Sequence, residues 1–148
     1  MERDATQGFA VDEEFRIIAP AMVFPGRDDD VTQAYSRAHD LLARRFPVEA
    51  LDVLEPALAQ EPDNTGLLGL RAWAHLIRAQ LGRAEADLRV LVGANPADDW
   101  AQHALGRALE RQNRLTEALP HLRLAAVMSD DFDHHAAVLR VERALAHR

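Results

Sequence analysis

The sequence contains no cysteine and no lysine. Without cysteine it has no disulfide framework, no thiolate nucleophile and no cysteine-based metal site, which agrees with a reducing cytoplasm. Its 17 basic residues are all arginine, are not clustered, and are outnumbered by 24 Asp and Glu for a formal net charge of −7. Such a chain would repel a phosphate backbone, so nucleic acid is not an expected partner. Serine is also scarce. Ser36 and Ser129 lie in no strand-turn-helix elbow, and nothing nearby supplies the acid and base that a hydroxyl nucleophile needs. No glycine-rich phosphate loop is present, because Gly66 and Gly69 open a helical stretch without a preceding strand or a lysine. No run approaches the roughly 20 apolar residues that span a bilayer. The first residues, MERDAT, lack the basic end and apolar run of a secretory signal. These absences lead to the expectation of a cytoplasmic, non-enzymatic chain that uses no cofactor, no metal and no membrane.

What the chain does have is alanine, leucine and a period. The Glu-Ala-Leu at 49 to 51 recurs at 117 to 119, a separation of 68 residues, which is twice 34. Laid out from Val31 at period 34, three units follow without a gap: 31–64, 65–98 and 99–132. Ala50, Ala84 and Ala118 share one column, Leu54, Leu88 and Leu122 another, and Ala38, Ala72 and Gly106 a third. Apolar residues recur within each unit at helical spacing, as in Leu51, Leu54 and Leu58. Each unit also ends near Pro62, Pro96 or Asp130, with capping residues alongside: Asp63 and Asn64, Asp98 and Asp99, Asp131 and Asp133. The spacing predicts two helices per unit, with the small columns marking where the two press together. A bulky side chain there would hold the backbones apart.

On these residues, clearest in the third unit with Leu105-Gly106, Leu109, Ala118, Leu122 and Ala125, the sequence resembles the tetratricopeptide repeat (TPR) family over about 100 of its 148 residues. It departs from the family pattern at His75, which replaces a large apolar residue, and at Arg37 and Arg71, which stand in the column of Leu105. It departs again at Asp130, in place of the terminal proline, and at Pro56 inside a second helix. The resemblance implies an all-α, right-handed α-α superhelix of three helix pairs. Residues 133–148 add a C-terminal capping helix, because Arg140 occupies the close-packing column and would block a further repeat.

Residues 1–30 do not fit the frame. Within them FRIIAPAMVF (15–24) carries Phe15, Ile17, Ile18, Met22, Val23 and Phe24 and is interrupted by Pro20, so an extended arm is expected in place of a helix. Left exposed, such a stretch is an association hazard. It is therefore expected to cover either its own solenoid or a second copy of the chain, in a homodimer with exchanged arms.

In the TPR family the first helix of each pair lines an inner groove. The resemblance carries that role to Tyr35, His39 and Leu42 in the first unit, to Trp73, Leu76 and Ile77 in the second, and to Trp100, His103, Arg107 and Arg111 in the third. Both tryptophans and the single tyrosine fall in these columns, and such side chains are common anchors of binding patches. The plainer alternative is that the tryptophans pack between repeats. The family's clamp for a C-terminal carboxylate uses lysine and asparagine, and neither occupies these columns. The expected role is an adaptor for a protein or peptide with an apolar face and one acidic group near Arg107 or Arg111. A homodimeric structural module and a small cytosolic TPR chaperone for an exported client are the alternatives. The stretch SDDFDHH (129–135) offers oxygen and imidazole ligands, but adjacent histidines diverge by about 100° on a helix, so a capped helix start is the expectation there.

Overall fold

The computed structural model describes Ile17, Ala19, Pro20 and residues 29–148. The described chain holds seven helices: α1 (Asp29–Ala43), α2 (Pro47–Gln60), α3 (Thr65–Ile77), α4 (Leu81–Ala94), α5 (Asp99–Arg111), α6 (Leu115–Met128) and α7 (Phe132–Ala146). Each helix packs on the next, and α1 also packs directly on α3, as stacked pairs must.

Period 34 is written into the backbone as well as the side chains. Within each pair the turn contains one residue of positive φ, at Arg45 (66°), Ala79 (55°) and Asn113 (60°). The following amide closes the turn in the same way each time. Phe46 N–H donates to Leu41 O at 2.8 Å, Gln80 N–H to His75 O at 2.8 Å, and Arg114 N–H to Leu109 O at 3.0 Å. This is a left-handed helix stop that satisfies carbonyls a helix end would otherwise strand.

Side-chain caps start the next unit. Asn64 Oδ1 accepts from Leu67 N–H at 3.1 Å at the head of α3, and Asp98 Oδ1 accepts from Ala101 N–H at 3.0 Å at the head of α5. The same column would place Phe132 as the cap of α7, and phenylalanine has no oxygen to offer. Asp131 takes over, its carboxylate accepting from Asp133 N–H at 2.8 Å, and α7 begins one residue early.

The core runs between first and second helices. Ala38, Ala72, Ala50, Ala84 and Ala118 have no exposed surface, so helices meet on methyl groups. At Gly106 even a methyl is too much: a Cβ there would lie 2.4 Å from Leu122 Cδ2 and 2.6 Å from Leu122 Cγ. Pro56 and Pro120 both sit inside continuous helices, on exposed faces where the carbonyl each leaves unpaired can meet water.

Polar departures from the pattern pair with one another. Arg71 on α3 donates from Nε and Nη2 to the two oxygens of Asp87 on α4, at 2.9 and 2.8 Å, and reaches Glu55 on α2 at 3.3 Å. Asp87 is buried. His75 Nδ1 lies 3.1 Å from Gln80 Oε1, and burial pushes its imidazole below the ordinary value despite that contact. Gln102 and His121, in columns held by Leu68 and Val53 in other units, meet at 2.8 Å between Oε1 and Nδ1.

Candidate functional site

The groove columns divide into three zones. In the first, Tyr35 and His39 on α1 stack with ring centroids 6.3 Å apart, and His39 meets Trp73 on α3 at 5.8 Å with a tilt of 59°. An aromatic path thus crosses from the first repeat to the second. Its two ends are largely withdrawn from solvent, Tyr35 at 1% exposure and Trp73 at 8%, and His39 between them is half-buried. Leu42 and Leu76 belong to the hydrophobic core and present no surface to a ligand, which corrects their expected place in the groove. Ile77 packs against the core and stays half-exposed.

The second zone is a cleft of about 330 Å³ between α3 and the start of α5. Thr65, Gly66 and Gly69 form one wall, Trp100 with Asp98 and Asp99 another, and Pro20 closes a third side. Gly66 and Gly69 put no side chain into this space, and the indole of Trp100 borders it from α5. Trp100 is half-buried against the core, so its ring is shared between packing and the cleft.

The third zone is occupied by the protein itself. His103 on α5 is buried and stacks on His134 of α7, with centroids 4.4 Å apart. Burial, reinforced by His134 and Arg107, pushes the His103 imidazole down to about 3, so it is neutral at physiological pH. Arg107 is only 6% exposed and pairs with Glu110 on its own helix. Glu110 in turn accepts from Arg140 Nη2 of α7 at 2.9 Å. Burial alone would raise the Glu110 carboxyl, but the two arginines outweigh it and hold it below the usual carboxylate range. The expectation that Arg107 orients a ligand is therefore corrected: the capping helix covers this end of the concave face and engages its charges. Arg111, one position further round, is exposed.

Of the arm, Ile17 and Ala19 pack half-buried against the core, while Phe15, Ile18, Met22, Val23 and Phe24 lie outside the described residues. In the acidic and histidine cluster, Asp131 serves as a cap and His134 Nδ1 donates to Ala125 O at 3.2 Å, whereas His135 is exposed. Among the described residues no three His, Asp or Glu side chains converge as a metal site, and no helix is long and apolar enough to cross a membrane.

No family model matches the chain, and no curated protein matches it. Solved structures do. The first TPR of Spaghetti (RPAP3), bound to the HSP90 peptide SRMEEVD, superposes with a TM-score of 0.75 at 19% identity, covering 84% of this chain and 99% of that one. The Sgt2 TPR domain from Aspergillus fumigatus gives 0.74 at 18% identity, with 82% of each chain covered. A mutant of MamA gives 0.70 at 21% identity, covering 81% of this chain and 72% of that one. The chain has the TPR fold: an all-helical solenoid of stacked pairs.

Proposed function

We propose that the chain is a protein-interaction adaptor that holds an extended, apolar segment of a partner along the concave face, centred on the cleft between α3 and α5. The single observation that carries this reading is that cleft, where the bare backbone of two glycines and the indole of Trp100 form its walls. A preformed recess beside an aromatic wall is how a helical scaffold seats a peptide with few anchors. His39, Ile77, Trp100 and Arg111 keep exposed surface and would make the contacts. Tyr35, Trp73 and His103 would hold that surface in place from behind. The likeness to a TPR solved with a bound peptide supports the reading at the level of the fold.

The partner segment differs in chemistry from SRMEEVD, which is acidic. No lysine lines this face and Arg107 is buried against Glu110, so an apolar ligand suits it better than a carboxylate-rich one. The test is a screen of displayed ten-residue segments against the purified chain. Enrichment of apolar segments, lost on Trp100→Ala or His39→Ala with helix content unchanged, is the expected result. Enrichment of acidic C-termini, or binding indifferent to both substitutions, would remove the reading.

A further inference from the structure

Glycine inside a helix costs about 1 kcal/mol relative to alanine, yet α3 places two within its first five residues, Gly66 and Gly69, both buried and both facing the cleft. Among the described residues, a Cβ built on Gly69 has one neighbour within 4 Å outside its own helix, and that neighbour is Pro20 Cβ, at 4.0 Å. What approaches this bare stretch of helix is the chain's own N-terminal arm. Ile17 and Ala19, immediately upstream, are half-buried against the core, and Ile17, Ala19 and Pro20 belong to no helix. Pro20 thus borders the cleft while Ile17 and Ala19 pack on the core just upstream, so the arm lies along α3 as an apolar stretch stiffened by a proline.

We propose that the arm at Ile17, Ala19 and Pro20 is a built-in occupant of the face beside Gly69, docked in the same chain where it walls the cleft, and that a partner segment must displace it to bind. The occupant stands on the contacts above. The displaced state rests on the adaptor reading. A tethered segment competes at an effective concentration in the millimolar range, so a partner's apparent affinity is reduced by the fraction of molecules whose cleft is closed.

The absence of cysteine makes a clean test available. The separation of 4.0 Å between Pro20 Cβ and a Gly69 Cβ falls within the range of about 3.5–4.5 Å that a disulfide requires. The full chain carrying Pro20→Cys and Gly69→Cys should oxidise to an intrachain disulfide and remain monomeric. A labelled peptide of residues 15–24, FRIIAPAMVF, titrated by fluorescence anisotropy, should bind the reduced form at least about tenfold more tightly than the oxidised form. In the unlinked background of Ile17→Asp with Pro20→Asp, which unseats the arm without cysteine, the peptide should again bind at least about tenfold more tightly than to the wild-type chain, and Gly69→Leu should abolish that gain. Circular dichroism confirms that each variant keeps its helices.

Failure to form the link, or a link formed between chains, overturns the occupant and favours exchanged arms. Equal peptide binding by oxidised and reduced forms overturns the competition. The two readings fail separately: an intrachain link with a display screen that is empty even against the Ile17→Asp, Pro20→Asp variant removes the adaptor alone, and a productive screen without the link removes the occupant alone.

Discussion

His103 of α5 lies face to face with His134 of α7, their ring planes 28° apart, and Nδ1 of His103 is buried without a hydrogen-bond partner among the described residues. This pair joins the capping helix to the last repeat, and Asp131, Arg107 and Arg140 are the charged groups around it. A neutral imidazole tolerates that seat. A cation does not.

The first consequence is a dependence of stability on pH. The folded-state value of His103, about 3, lies below the ordinary value of 6.5, so the unfolded chain binds this proton more readily. Stability from this site is complete above pH 6.5 and declines as the pH falls toward 3, by up to about 1.4 kcal/mol per unit. The urea midpoint measured at pH 7.5 and at pH 5 should drop on acidification, and His103→Phe, which keeps a ring in the stack, should flatten the drop. An unchanged slope in the variant would place the acid sensitivity elsewhere.

A second expectation concerns Arg71 and Asp87. The carboxylate is nearly enclosed and receives both branches of the guanidinium, an arrangement that raises the pKa of Arg71, chiefly through the hydrogen bonds it donates to Asp87. Removing one partner strands the other, so Arg71→Leu and Asp87→Val should each destabilise by about 2 kcal/mol. The double variant should recover most of the loss, because Leu105 and Val53 already occupy the corresponding columns in other units. A double-mutant cycle in urea measures the coupling. A double variant as unstable as the sum of its parts would show that the pair contributes nothing as a pair.

These two cases show what the residue order discloses and what it hides. The period, the small columns and the capping residues are local facts. They recur at Ala38 and Ala72, at Asn64 and Asp98, and they made the helical solenoid readable before any coordinates. The burial of Leu42, Leu76, His103 and Arg107 was not readable in the same way. A column fixes the direction a side chain leaves its helix, but burial depends on what is stacked above. For His103 and Arg107 the covering element is α7, and the period fixes where that helix lies but not which of its side chains reach α5. A usable signal did exist for Arg71 and Asp87, since a base and an acid stand on facing helices of one pair in columns that hold Leu105 and Val53 in other units. None existed for Pro20 against Gly69, because residues 1–30 follow no period.

Third, the glycines should respond oppositely to one substitution. Gly93 in α4 has nothing within 4 Å of a built Cβ, so Gly93→Ala should stabilise by about 0.5–1 kcal/mol through helix propensity alone. Gly106→Ala drives a methyl group into Leu122, a completely buried side chain that has nowhere to retreat. Overpacking costs about 1–3 kcal/mol and should outweigh the propensity gain. Thermal melts of the two variants should shift in opposite directions. A stabilised Gly106→Ala would mean that α5 and α6 can separate more easily than their spacing implies.

Fourth, the left-handed turns form a graded series set by residue type. Asn113 tolerates a φ of 60° because its short polar side chain suits that region, whereas Ala79 at 55° and Arg45 at 66° carry an ordinary Cβ against a carbonyl, at about 1–2 kcal/mol. Glycine relieves the clash but gives the unfolded chain more freedom, which offsets part of the gain. Ala79→Gly and Arg45→Gly should therefore stabilise by about 0.5–1 kcal/mol each, and Asn113→Gly, which also removes the acceptor of an exposed hydrogen bond from Arg148, should gain nothing. Arg45→Gly also removes a charge from an exposed turn, so Ala79→Gly is the cleaner comparison. Because the three turns are separated by a full repeat and share no partner, the gains should add, and chemical denaturation of the single and triple variants checks both the ranking and the sum. A triple variant less stable than the parent would mean that the side chains at 45 and 79 contribute more in contacts than their backbone geometry takes away.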